Sequence, residues 1–341
     1  MDAALLSFRS ALCRAVRDFF DERGYLEVDT PLLAPDLIPE SCLEVFETRR
    51  LAPRGSSGAE RPYWLIPSPE IWMKKLIAKH RRSLYQICHC FRNGESSGRF
   101  HSPEFSMLEY YTMDADWRDS IGITEELFAR LPAAPGAPAL PSAGNEGAAA
   151  APWAAAPFER ISVGEAFGRW AGFDLYEAAA VSGGLEAEAR RLGLDPAPGL
   201  DGPALYDLIF VDQVEGALPK DHPVVLIDYP AFVPCLAKKS GDGKTVERWE
   251  LYVRGIELAN CYSEETDPQA VREFFEREKA AKERSALVSH GVNTDYWKLF
   301  LPNREGRPFP PCSGAALGLD RLMMLLTGRS TIDGVLPFPM V

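Results

Sequence analysis

Arg92 and Arg99 bracket a polar loop, Asn93-Gly94-Glu95-Ser96-Ser97-Gly98, and each offers a planar, permanently charged fork suited to two-point contact with a phosphate or carboxylate. Beyond the loop, Phe105, Met107, Glu109 and Tyr111 recur at a period of two, so Glu109 shares a face with apolar neighbours, where an unpaired carboxylate would be expensive. Asp320 and Arg321 are the only charged residues between Arg307 and Arg329. In those surroundings a guanidinium must meet a bound anion or a carboxylate, and an internal Asp320–Arg321 pair is the plain alternative. Glu257 and Glu264 carry hard oxygen atoms of the kind a Mg²⁺–nucleotide complex takes. They lie an odd number of residues apart, so their convergence on one face requires a bend or bulge around Asn260 to Ser263; either glutamate alone reads as a charge that keeps a strand edge soluble. Cys88-His89-Cys90 is a poor metal site, because neighbouring strand residues point to opposite faces and no second ligand pair follows.

These groups need elements to hold them. Leu84 to Phe91 and the segment from Phe105 to Tyr111 predict two strands of a hairpin around the Arg92–Arg99 loop, a pattern that an exposed loop with surface ion pairs also satisfies. Residues 2 to 23 read as an amphipathic helix with Leu5, Phe8, Leu12, Val16, Phe19 and Phe20 as its stripe and Gly24 at its left-handed end. Tyr25 to Leu33 alternates as a strand closed by Pro31. A Gly/Ser/Pro-rich connection over Arg49–Arg61 leads to a short strand, Tyr63–Ile66. Ser68-Pro69-Glu70 opens a helix with Ser68 as N-cap and Pro69 in its first turn, and capping alone accounts for all three.

From Leu131 to Pro157 the composition is almost only Ala, Pro, Gly and Ser, the mark of a flexible surface insertion; residues 158–222 hold helical pieces and no catalytic candidate. Val224–Pro230 and Arg248–Val253 read as strands. Asp267-Pro268 caps a charged helix running to about residue 285, with Val271, Phe274 and Phe275 as its apolar face, and this helix reads as scaffold.

With 341 residues and 46% hydrophobic content the chain can bury one large core or two smaller ones. It lacks the roughly eighteen uninterrupted apolar residues of a membrane span, and Met1-Asp2-Ala3-Ala4 has no signal-peptide character, so the expectation is a cytoplasmic protein without a membrane partner. Seven cysteines without a CxxC pair point to reduced thiols. A net charge of −12 and a sequence pI near 5.1 have the wrong sign for gripping a long phosphate backbone.

Arg92-Asn93-Gly94-Glu95, Gly98-Arg99-Phe100-His101-Ser102-Pro103-Glu104-Phe105 and Met107-Leu108-Glu109-Tyr110-Tyr111 together resemble motif 2 of class II aminoacyl-tRNA synthetases, in the form used by lysyl-tRNA synthetases and their shortened paralogues. The first helix, the strand after it and Pro31 look like motif 1, and Gly314-Ala315-Ala316-Leu317-Gly318-Leu319-Asp320-Arg321-Leu322 looks like motif 3. Ser68-Pro69-Glu70 is similar to the segment lining the amino-acid pocket of lysyl-type enzymes, and Gly255-Ile256-Glu257-Leu258-Ala259-Asn260 with Glu264 to their ATP- and amino-acid-binding strand. The resemblance runs from about residue 5 to 330.

It implies an α+β fold in which residues 1–341 form one catalytic domain, an antiparallel sheet flanked by helices, dimerising with a second copy through motif 1. It implies ATP and Mg²⁺, with Arg92 on the α-phosphate and Arg321 on the γ-phosphate as the catalytic pair, and Asn93, Glu95, Ser102, Phe105 (stacked on adenine), Glu257, Leu258 and Gly314 also at the nucleotide. Glu257 and Glu264 would carry Mg²⁺, while Ser68, Glu70, Glu109, Tyr111, Asn260, Glu264 and Ala316 would face the amino acid, lysine or β-lysine. Shortened paralogues of this kind attach (R)-β-lysine to a lysine of translation elongation factor P. Few residues precede the first helix and the charge is acidic, so the expected acceptor is elongation factor P, a tRNA being disfavoured.

Three positions depart from the synthetase pattern. Gly94 stands where the first loop glutamate belongs, leaving Glu95 beside it in a loop one residue longer; Ser102 replaces the usual Asn, and Ala316 a glycine. The alternatives are a ligase that uses tRNA or a free amino acid as acceptor, and a catalytically silent regulatory protein, for which Gly94 is the motive.

Overall fold

A computed structural model describes residues 2–52, 60–95, 98–131 and 156–340. Nearly all of the Ala/Pro-rich 131–157 stretch, the middle of the 49–61 connection, and Ser96 and Ser97 lie outside the described residues.

In chain order the helices are α1 (Ala3–Glu22), α2 (Glu70–His80), α3 (Trp117–Arg130), α4 (Val163–Ala166), α5 (Leu175–Ala180), α6 (Gly184–Arg191), α7 (Gly202–Ile209), α8 (Pro268–Ser285) and α9 (Leu319–Thr327). The strands are β1 (Leu26–Glu27), β2 (Leu33–Ala34), β3 (Glu47–Arg50), β4 (Arg61–Leu65), β5 (Leu84–Phe91), β6 (Glu104–Met113), β7 (Glu159–Ser162), β8 (Val224–Pro230), β9 (Thr245–Val253), β10 (Ile256–Ser263) and β11 (Cys312–Gly318). Contacts divide the chain into two compact α+β units, the first holding residues 2–114 and 266–340 and the second 115–131 and 156–265.

In the first unit β5 and β6 form the expected hairpin, with β11 antiparallel to β6 and β1 parallel to β5 at the edge. Asp2 caps α1 by accepting from Leu5 N–H, and the six apolar residues of its stripe are all buried. Each such side chain contributes about 1.5–3 kcal/mol when withdrawn from water. The stripe packs on one face of the hairpin, where Phe20 meets Tyr85 at 5.0 Å and Tyr110 at 4.9 Å between ring centroids. Because strand residues alternate, that packing turns Gln86, Cys88, Cys90, Phe105, Met107, Glu109 and Tyr111 to the opposite face. There the register sets Gly314 beside Tyr111 and Ala316 beside Glu109.

The alternating Tyr25–Leu33 segment is not one strand. β1 pairs with β5, whereas β2 leaves for a separate sheet of order β2-β4-β3, with Pro31, which has no N–H to give a ladder, between them. Thr30, just before that proline, donates its hydroxyl to Gln86 Oε1 at 2.9 Å.

In the second unit the strands run in the order β10-β9-β8-β7, antiparallel except that β7 is parallel to β8. The antiparallel pairing expected from the sequence holds in both units, each of which adds one parallel pair, β1 with β5 and β7 with β8. The 158–222 interval folds into helices whose apolar residues, among them Phe167, Tyr206 and Phe210, form one core with Val224, Leu226 and Tyr252. Phe167 and Tyr206 stack at 5.3 Å, and Tyr206 and Phe210 at 5.7 Å.

Candidate active site

Arg92 follows β5 directly, its N–H bonded to Pro103 O at 3.0 Å. Its guanidinium stands 5.3 Å over the Phe105 ring and 3.6 Å from Glu95. Arg92 Nε is a buried donor that has no hydrogen-bond partner among the described residues, which is the arrangement an incoming oxyanion would complete. Asn93 is otherwise engaged: it gives its side-chain N–H to Val45 O at 3.3 Å and its backbone N–H to Glu44 O at 2.9 Å, closing the base of the loop.

Arg321 occupies the first turn of α9 and donates from Nε to Phe100 O at 3.2 Å. It is not locked to its neighbour Asp320. That carboxylate, 2% exposed, takes Arg9 at 2.6 Å and Ser106 N–H at 2.6 Å, so its charge is answered from α1 and β6. The two guanidiniums act on a common residue: burial, then Arg321, Glu95 and Arg92 bear on His101, and the net effect holds its imidazole below the usual histidine range. Glu95, 3.6 Å from Arg92, is also 4.0 Å from His101, and Arg321 bonds the carbonyl of the preceding Phe100, so both guanidiniums stand around the Phe100–His101 segment of the first unit. Ser102 beside it is buried.

Phe105 packs on the sulfur-rich patch of Cys88, Cys90, Met107 and Ala316. The two cysteines share this face, Sγ to Sγ 3.8 Å, while His89 points away to Glu104 at 2.9 Å, the alternation that argued against a zinc site. Among the described residues no group of three or more His, Cys, Asp or Glu side chains is arranged to hold a metal ion.

On the hairpin face that carries Phe105 lies a carboxylate pocket. Glu109 is 3% exposed and accepts from Ser68 Oγ at 2.7 Å and Tyr111 Oη at 2.9 Å. Burial and the nearby charge of Glu70 outweigh those bonds and push its carboxyl up to about 7. Ser68 is not the N-cap expected of it. α2 begins at Glu70 with Pro69 in the cap position, and the Ser68 hydroxyl accepts from Glu70 N–H at 3.0 Å while its proton goes to Glu109. One hydroxyl therefore serves both the helix start and the pocket. Glu70 pairs with Lys74, which is 1% exposed along the side chain, at 2.5 Å.

In the second unit, β10 carries its irregularity at Leu258, not between Asn260 and Ser263 as expected. Glu257 pairs with Tyr252 and Ala259 with Leu251, so two steps on β10 match one on β9. That extra residue repairs the odd spacing. Glu257, opposite Tyr252, and Asn260, opposite Glu250, come to one face of β10, and continuing the alternation through Tyr262, opposite Arg248, brings Glu264 to the same face. Glu264 is buried and bridges to Ala237.

A family model for class II tRNA synthetases (D, K and N) matches residues 2–341. The chain belongs to the class II aminoacyl-tRNA synthetase family. It is an ATP-dependent amino-acid ligase. Among curated relatives it is 33% identical over 331 residues, 97% of this chain and 93% of the relative, to an elongation factor P–(R)-beta-lysine ligase of Avibacterium paragallinarum.

Within this class II domain, four contributors escaped the sequence reading. Arg9, the partner of Asp320, interrupts the apolar stripe of α1 between Phe8 and Leu12, a visible anomaly. Lys74 is likewise a cation on the buried side of α2. Glu278 and Lys282 continue the period of Val271, Phe274 and Phe275 on α8, and both are buried. They bind the 40–44 loop, Glu278 by accepting from Ser41 Oγ at 2.7 Å and Lys282 by donating to Glu40 O at 3.0 Å. α8 is thus more than scaffold.

Proposed function

We propose that this protein activates lysine or (R)-β-lysine as an adenylate and transfers it to a lysine side chain of elongation factor P in the cytoplasm. The observation that carries the reading is the first unit's arrangement: a buried carboxylate, Glu109, held by Ser68 and Tyr111, on the same sheet face as an arginine with an unanswered donor. A pocket that keeps carboxylates against their inclination to protonate is suited to an ammonium group, whose charge would offset the desolvation. The relative's name supplies the acceptor, and the net charge of −12 favours a protein over a tRNA.

In this reading the substrate carboxylate attacks the α-phosphorus of ATP, the bond to the β-phosphate oxygen breaks, and pyrophosphate leaves. The chain supplies position and charge, not a covalent intermediate. Arg92 holds the α-phosphate through its free Nε, and Arg321 the γ-phosphate. Phe105 supports adenine, with Glu95, Ser102 and Gly314 of the same unit at the nucleotide, while Asn93 steadies the loop. Ser68, Glu70, Glu109, Tyr111 and Ala316 of the first unit face the amino acid, and in the second unit Asn260 and Glu264 share one face of β10. Mg²⁺ suits Glu257 and Glu264, since this ion is commonly held by one or two protein carboxylates together with phosphate oxygens, and it would neutralise charge on the leaving pyrophosphate. In the second step the acceptor's ε-amine attacks the mixed anhydride, an amide forms and AMP leaves with its bonding electrons.

A homodimer through the motif 1 region is part of the proposal. Leu6, Leu26, Leu32 and Leu33 are each 37–47% exposed there, an apolar group that a second copy would cover.

ATP–pyrophosphate exchange with lysine and with (R)-β-lysine tests the reading. Arg92→Ala and Arg321→Ala should each lower the rate by about 10²- to 10³-fold, the usual loss when one donor to developing charge is removed. Unchanged exchange in Arg321→Ala would remove the site. Label from β-lysine appearing on tRNA and not on elongation factor P would remove the acceptor.

A further inference from the structure

The 40–44 loop is held with unusual care for a connection. Lys282 donates to the carbonyls of Glu40 and Leu43, Glu278 takes Ser41, and Glu44 accepts from the N–H groups of Leu287 and Val288 at 2.9 and 3.1 Å. Glu44 O also receives Asn93 N–H at 2.9 Å, tying the loop to the residue next to Arg92. Yet the side chain of Glu40 forms no hydrogen bond or ion pair among the described residues. It lines a cleft of about 10 Å³ with Ser68, Glu70, Leu37 and Ile71. That is room for one water-sized group, and an ammonium head is of that size.

We propose that Glu40 is a specificity-determining carboxylate: with Glu70 it receives the inner amino group of a diamino acid, the one nearer the reacting carboxylate, while Glu109, Ser68 and Tyr111 receive the terminal one. The inference rests on the reading above. Its order along the pocket follows from the backbone. The 40–44 loop is bonded through Glu44 O to Asn93 N–H, next to Arg92, whereas Glu109 lies opposite Gln86, further back along the hairpin from Arg92. Glu40 therefore sits towards the phosphate-binding arginine and Glu109 away from it, with Glu70 between. Burial and the nearby charge of Glu70 push Glu40 up to about 7. Two separate anionic stations match a substrate with two ammonium groups and one carboxylate. Because the inner station rests on a carboxylate at the end of a side chain, its reach bears on whether the amine is at the α or β carbon.

The experiment compares wild type and Glu40→Gln in ATP–pyrophosphate exchange with lysine and (R)-β-lysine. 6-Aminohexanoate, which keeps the terminal ammonium and the carboxylate but lacks the inner amine, serves as competitor. The expected result is a kcat/KM for the diamino acids lower by about ten- to hundredfold in Glu40→Gln, with the inhibition constant of 6-aminohexanoate unchanged. Equal weakening of all three compounds would show that Glu40 only shapes the loop, and undiminished exchange would show that it does not touch the substrate; either overturns the inference while leaving the function standing. A wild-type protein inert towards both diamino acids would overturn the two together.

Discussion

Replacing Glu109 by Gln should make the free protein more stable at alkaline pH while it loses its substrate. The carboxyl is displaced from 4.5 to about 7, mainly by burial. For an acid whose folded value is raised, the fold favours the protonated form. The penalty is absent below the unfolded value, grows as pH rises through the interval, and is complete above the folded value. At 1.36 kcal/mol per unit, the full displacement is ~3 kcal/mol, of which ~2 kcal/mol develops between about pH 5.5 and 8.5, because the unfolded carboxyl is already largely ionised at the lower end. Glutamine stays neutral throughout and can still accept a hydrogen bond from Ser68 or Tyr111. The stability of Glu109→Gln relative to wild type should therefore improve by ~2 kcal/mol from pH 5.5 to 8.5 in urea unfolding followed by fluorescence. A difference that is flat with pH, or that moves the other way, would refute the account of Glu109 as an ionised group held at a cost. In exchange assays the same variant should lose about ten- to hundredfold in kcat/KM for lysine at pH 8, and the wild-type KM for lysine should rise as pH falls below about 7.

Two further outcomes follow from the same geometry. Arg9→Ala leaves Asp320 buried without its cation, which should destabilise the first unit by ~3–5 kcal/mol, and Arg9→Ala combined with Asp320→Asn should recover most of that loss in thermal unfolding. Leu26→Asp with Leu33→Asp places charges in the exposed apolar group near α1; a shift from dimer to monomer in sedimentation velocity is expected, and an unshifted dimer would place the interface elsewhere.

Much of the site was legible in the chain itself because local rules wrote it. Period-two alternation gave the hairpin and the single face of Phe105, Met107, Glu109 and Tyr111, since a strand places alternate residues on opposite sides regardless of what surrounds it. The apolar stripe gave α1, and Asp267-Pro268 gave the start of α8. Isolation of Arg321 in an apolar run left a bound anion or a carboxylate as its partner, and the motifs gave the family. What local rules cannot supply is the partner from far along the chain. That Asp320 belongs to Arg9 and not to Arg321 depends on how α1 lies against β6, a packing outcome between residues more than three hundred positions apart. Pro31 forbids pairing at one point, but only the competing sheet of β4 and β3 decides that the chain leaves there. The bulge at Leu258 is a register choice between two strands, invisible in either one. Glu40 lines its cleft with Ser68 and Glu70 because Lys282 of α8 holds the loop there, a contact from more than two hundred positions away that nothing beside Glu40 in the chain announces.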